Sequence, residues 1–240
     1  MIDAGRRVRA ASSVALPPGF RSRLLEGLTP SEIRAVLAVA RQRKISPNEV
    51  LQNEGDPTRH LFLMVTGHGA FYKTTPEGDK LFLRWISPGD AFGLATLLQT
   101  QPQPSFTTVQ ALRGCSVFAW ERVSAHALAS QIPRLRENTY TLATDYVRSL
   151  GDALAARANQ TAEQRLARVL VDSARHIGCA GCAGIEFGLT NEQLAQMADV
   201  SVFTVSRQLS EWQSQGILTK SRKKIVIRAP ERLSSPPQQK

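Results

Sequence analysis

The chain has 240 residues, 42% of them hydrophobic, enough for one large or two modest cores. Its formal charge of +10 and pI near 10.2 suit a polyanionic partner. No apolar run is long enough to span a bilayer, and the N-terminal arginines lack the apolar stretch of a secretory leader. Three cysteines, an odd count, do not suggest a disulfide framework, so a reducing cytoplasm is the expected location and no membrane is expected as a partner.

In chain order, residues 1–24 read as a flexible basic tail with Arg6, Arg7, Arg9, Arg21 and Arg23, and Pro17-Pro18-Gly19 near its end. A phosphate-contacting arm is the other reading of that stretch. Thr29-Pro30-Ser31-Glu32 opens a helix with Ile33, Val36, Leu37 and Ala40 on one face. From Lys44 short apolar runs alternate with turns. Strands are predicted at 49–52, 61–66, 70–74, 81–86, 109–112 and 115–120, with a Gln- and Pro-rich rim loop within 97–105. Residues 25–132 are thus expected to form a β-sandwich or barrel, closed by helical residues after Arg122.

Pro133 suits the first turn of a long helix over 133–159. In it Tyr140, Ala143, Val147, Leu150 and Leu154 recur at three, four, three and four, the seam of a coiled coil. This predicts a homodimer interface; packing of the same stripe on the chain's own barrel is the alternative. Thr161-Ala162-Glu163-Gln164 is a capping box that starts a helix with Leu166, Val169, Leu170, Ser173 and Ile177 on one side. A loop is expected from Gly178 to Gly188.

The stretch 190–216 reads as two short helices around a tight turn. Thr190 with Gln193 caps the first, and Ser201 caps the second, which buries Val205, Leu209 and Trp212 and ends near Gly216. The other face of the second helix offers Val202, Phe203, Thr204, Ser206, Arg207 and Ser210, suited to a major groove. Strands at 217–220 and 224–228 form a wing carrying Lys220, Arg222, Lys223 and Lys224. Between Val200 and Arg232 seven Lys or Arg face two acids, the electrostatic footprint of a duplex-DNA partner. The DNA-binding unit is drawn at 160–232, with a tail over 233–240. The alternative is a winged helix used for protein contacts alone.

The order of these parts resembles the Crp–Fnr family of bacterial transcription regulators. The carriers are Asn53-Glu54-Gly55-Asp56, Leu61-Phe62-Leu63 with Gly67, Pro88-Gly89-Asp90 with Phe92-Gly93, Glu163-Gln164-Arg165-Leu166-Ala167, Val200-Ser201 and Thr204-Val205-Ser206-Arg207. The resemblance implies an α+β chain: a double-stranded β-helix (jelly-roll) sensory domain, a long dimerisation helix and a C-terminal winged helix-turn-helix. It further implies a homodimer on a palindromic operator, with RNA polymerase as a partner.

Two departures from the family pattern stand out. The resemblance places effector contacts at Gly93, Leu94, Ser105, Phe106, Thr107 and Thr108. The Glu that holds a ribose in cyclic-nucleotide-binding members is Leu94 here, and the Arg–Ser pair that holds the cyclic phosphate is Ser105–Phe106. A buried phosphate would lack its guanidinium partner, at a cost of several kcal/mol, so cyclic AMP is not expected to bind well and any effector is unknown. In the recognition helix, Phe203 stands where relatives often carry a Glu that reads cytosine. Phe203 can touch a thymine methyl, or pack under the wing. Arg207 matches the reader of guanine, with a phosphate contact as its other role.

Other chemistry is thinly supported. Cys179 and Cys182 form a CxxC that could sense redox state or merely be small loop residues; a zinc site would need two more ligands, and only His176 is near. The clustered cysteines of oxygen-sensing relatives are absent, and His60, His68 and Cys115 are the sole candidates for a haem ligand. No His/His/Glu set, phosphate loop or nucleophile motif suggests an enzyme, and no metal or cofactor is expected.

Overall fold

The computed structural model describes residues 16–78, 80–221 and 224–234, without the side chains of 152, 153, 155–159 and 234. The first segment departs from the expected tail. Leu24 is buried outright, Leu16 and Phe20 pack against the same core, and Ser22 caps a 3-10 turn at Arg23–Leu25. Residues 16–24 therefore belong to the folded body; 1–15 lie outside the described residues. Helix α1 (Pro30–Ala38) follows, with Thr29 and Glu32 in a reciprocal capping box.

Eight strands make two antiparallel four-stranded sheets. The first, in the order β1-β8-β3-β6, comprises β1 (Arg41–Ile45), β8 (Cys115–Glu121), β3 (His60–Thr66) and β6 (Ala91–Phe92). The second, β2-β7-β4-β5, comprises β2 (Val50–Gln52), β7 (Thr108–Ala111), β4 (Gly69–Thr74) and β5 (Lys80–Ile86). Between them sit Phe62, Met64, Phe71, Ile86, Phe92, Val109 and Val117, the inward residues of both sheets, as a roll requires. A short helix α2 (Ala95–Leu98) occupies the start of the expected rim loop.

Helix α3 (Arg122–Gln131) leads to α4 (Pro133–Asn159). The first turns of α4 are anchored: Leu135 is buried, and the Asn138 amide donates to the carbonyls of Leu24 (3.0 Å) and Glu26 (2.8 Å). Beyond these turns the apolar stripe is largely open to solvent among the described residues. Tyr140 is 56% exposed, Val147 69% and Leu154 68%, with Ala143 and Leu150 half-buried.

The C-terminal unit comprises α5 (Ala162–Ile177), β9 (Cys179–Gly181), β10 (Gly184–Phe187), α6 (Asn191–Ala198), α7 (Val202–Ser214), β11 (Leu218–Ser221), β12 (Lys224–Ile227) and α8 (Pro230–Ser234). The span expected as a loop is instead a hairpin, β9–β10, that extends the wing into a four-stranded sheet β11-β12-β10-β9. Leu233, assigned to the tail, is buried against this unit. Roll and C-terminal unit share a core: Tyr72, Phe82 and Trp85 cluster with Leu166, Leu170, Leu194 and Val205.

Candidate nucleic-acid interface

Local chemistry fixes the two helices of the reading head. Thr190 accepts from the Gln193 amide while Gln193 accepts from the Thr190 amide, closing a capping box on α6. The chain then reverses at Asp199, which adopts φ 53°, a left-handed conformation that Asp tolerates better than most side chains. Ser201 Oγ accepts from the Thr204 amide at 3.0 Å and caps α7.

Arg165 locks this turn from α5. Its Nε donates to the Ala198 carbonyl and one Nη to that of Asp199, both at 2.9 Å; the other Nη donates to Gln160 at 3.1 Å. One guanidinium thus satisfies carbonyls that the end of α6 leaves open. The sequence marked Arg165 within a family motif without revealing that task. A polar bridge lies beneath α7, where buried Gln208 donates to Glu163 and Glu211, each at 3.3 Å. The wing is tied to α7 by the Lys220 amide, which donates to Gln213 Oε1 at 3.1 Å.

Val205, Leu209 and Trp212 are buried, leaving Val202, Phe203, Ser206, Arg207 and Ser210 on the solvent face and Thr204 half-buried. Arg207 has no ion-pair partner among the described residues. Ser210 spends its hydroxyl on the Ser206 carbonyl at 2.9 Å. On the wing, the Lys224 ammonium pairs with Glu186 at 2.7 Å, so it is less free for phosphate than the sequence implies. Lys220 is half-buried. Arg222 and Lys223 lie outside the described residues.

The suggested effector residues do not form one set of free groups. Gly93 has φ +74°, and a Cβ there would stand 2.2 Å from the His60 carbonyl oxygen, so only glycine fits the close approach to β3. Leu94, the residue before α2, is half-buried and packs against the core that holds Leu97 and Leu128. Ser105 is buried and engaged: it receives the Gln52 amide and donates to the Thr107 carbonyl at 2.7 Å. Thr107 is buried, and Thr108 Oγ1 accepts from the Glu54 amide at 3.1 Å, while Glu54 also pairs with Lys73.

Phe106 is exposed and turns its ring toward Tyr146 of α4, centroids 6.0 Å apart. The cation near these rings is Arg84, which the sequence reading did not single out. Its guanidinium lies 5.4 Å from the ring centres of both Phe71 and Tyr146 and pairs with Asp90 at 3.4 Å. Burial pushes the Tyr146 phenol above its usual pKa, against the opposing pull of Arg84.

Hairpin β9–β10 also bears on the cysteine reading. Cys179 and Cys182 are both exposed and free. Cys179 begins strand β9, which ends at Gly181, and Cys182 sits in the turn to β10. Among the described residues no group of three His, Cys, Asp or Glu is placed to hold a metal, and no helix is long and apolar enough to cross a membrane.

Comparison with known proteins joins these parts. Residues 42–131 match the cyclic nucleotide-binding domain, and residues 164–235 match the Crp-like helix-turn-helix domain. The anaerobic regulatory protein of Pasteurella multocida is 27% identical over 191 residues, covering 79% of this chain and 69% of its own length. A CRP-like cAMP-activated global transcriptional regulator of Mycobacterium tuberculosis is 24% identical over 217 residues, 89% of this chain and 96% of that protein. The structure of FixK2 from Bradyrhizobium japonicum superposes with a TM-score of 0.69 at 25% identity, covering 81% of this chain and 96% of that one. With the roll, the long helix and the winged head in the family's order, the chain belongs to the Crp–Fnr family of DNA-binding transcription regulators.

Proposed function

We propose that the chain acts as a homodimer that reads a palindromic operator, with an α7 from each protomer entering successive major grooves about 34 Å apart. The observation that carries this reading is the solvent face of α7: Arg207 stands unpaired beside Phe203 and Ser206, with the wing tied alongside it. The uncovered stripe of Tyr140, Val147 and Leu154 supports α4 as the dimer seam. A coiled-coil partner would bury that stripe and set the distance between the two heads. RNA polymerase is the further partner, and the cytoplasm the place of action. Selection of bound duplexes from a random pool tests the reading; recovery of a two-fold symmetric consensus is expected, and a pool that stays random would refute it.

The same reading gives the roll no cyclic AMP. No arginine stands at Ser105 or Phe106, and the Ser105 hydroxyl is already engaged by Gln52 and Thr107. Calorimetry should show no micromolar binding of cyclic AMP. A second reading, a constitutive DNA binder with a non-sensing roll, is favoured by Arg84. Its guanidinium already occupies the aromatic faces of Phe71 and Tyr146 where roll and α4 meet. DNA affinity that is unchanged by any ligand in a screen on the full chain would decide for it.

A further inference from the structure

Phe203 is 76% exposed, an unusual position for a large apolar ring, on a helix face shared with Val202, Ser206, Arg207 and Ser210. It does not pack under the wing. That place belongs to its neighbour Val202, which lines a groove of about 390 Å³ with Leu189, Thr190, Lys220 and Ser221. Among the described residues its ring makes no aromatic stack and lies under no cation. It sits in the first turn of α7, directly after the Ser201 cap, and the first turn of a recognition helix is the part that reaches base edges.

Resting on the DNA-reading function above, we propose that Phe203 is a specificity-determining residue that selects thymine through its C5-methyl group. The major groove presents one apolar group, the thymine methyl; the edges of guanine, adenine and cytosine present donors and acceptors. An exposed ring driven against those polar edges strips their water and returns no hydrogen bond. Against a methyl it buries apolar surface on both sides. Phe203 and Arg207 are four residues apart, so they share a face with Cβ atoms about 6 Å apart. Base pairs rise about 3.4 Å, so the selected thymine lies one or two steps from the guanine that Arg207 addresses. Its methyl, not its hydrogen-bonding edge, is what the ring recognises.

The test uses full-length protein and the duplexes recovered from a random pool. Arg207→Ala first locates the guanine, as the position whose preference it abolishes. Each thymine within two base pairs is then replaced by uracil, which removes the methyl and leaves pairing and groove hydrogen bonds intact. At one such position, uracil should weaken wild-type binding about fourfold for each half-site that carries it, the worth of one buried methyl. Phe203→Ala should bind thymine and uracil duplexes equally, while Phe203→Leu should keep part of the discrimination; Phe203 is exposed, so neither variant threatens folding. A wild type indifferent to uracil, an alanine variant that still discriminates, or recovered duplexes with no thymine in that window would overturn the proposal while leaving DNA reading intact. Failure to bind any duplex would remove both.

Discussion

Trp85, on strand β5 of the roll, stacks on His176 in the last turn of α5, with ring centroids 6.0 Å apart and planes 13° from parallel. This contact lies where the two domains share their core. His68, in the β3–β4 turn, adds a second imidazole: its Nδ1 is buried without a hydrogen-bond partner. Burial first, then the charges of His176 and Arg113, hold the His68 pKa below the usual 6.5, with Asp90 pulling the other way. An imidazole depressed by folding binds protons more readily when unfolded. The stability it contributes is complete above about pH 6.5 and is lost as pH falls toward its lowered value. Thermal melts should therefore show a midpoint that drops from pH 7 to pH 5, less steeply in His68→Gln. Some slope remains in that variant, because burial and Arg43 also lower the His60 pKa. Equal slopes in the two proteins would contradict this role for His68.

The Arg165 clasp makes a separate prediction. Arg165→Ala leaves the carbonyls of Ala198 and Asp199 without their charged donor, and should cost about 2 kcal/mol of stability. DNA affinity should fall as well, although Arg165 is not on the solvent face of α7. Denaturant titration and fluorescence anisotropy check the two effects; a variant as stable as wild type would contradict the clasp.

At the start of α7, Ser201→Ala removes the side-chain acceptor for the Thr204 amide. The expected loss is about 1 kcal/mol, read as a lower denaturation midpoint with an unchanged slope. Ser201→Asp should recover it, since Asp caps equally well and complements the helix dipole.

The seam proposed for α4 can be tested without disturbing the single chain. Val147 is 69% exposed in the single chain, so Val147→Lys should leave the circular dichroism spectrum unchanged. In the proposed dimer it would face its symmetry mate and place two like charges in an apolar seam. Light scattering should report a monomer, with operator binding weakened by more than tenfold. A variant that remains dimeric would move the interface elsewhere.

What the sequence made legible follows from where its signals are local. Capping boxes at Thr161 and Thr190, the Ser201 cap and the buried triad of Val205, Leu209 and Trp212 are written within a few residues, and each was placed correctly. Strand β1 is not legible because Arg41-Gln-Arg-Lys-Ile is an edge strand with one buried residue and no alternation to detect. The β9–β10 hairpin is not legible because Cys-Ala-Gly-Cys-Ala-Gly reads as a loop; β10 pairs with β12 some forty residues later. Leu24 reads as tail because many residues of its core cluster, such as Leu61, Phe118, Leu128 and Leu135, lie far along the chain. In the candidate site, the face of α7 followed from helix periodicity, whereas Arg84, Tyr146 and the Trp85–His176 stack join distant strands and helices that no spacing rule connects.

The central claim, a paired reading head that recognises sequence, is tested most directly by the affinity of the full-length chain for a recovered palindromic duplex against a scrambled duplex of equal length. Both are measured at physiological salt, for wild type and Arg207→Ala. Wild type should favour the palindrome by about a thousandfold or more, and Arg207→Ala should lose much of that ratio while still binding both duplexes at low salt. Equal affinity of the wild-type chain for the two duplexes would contradict it.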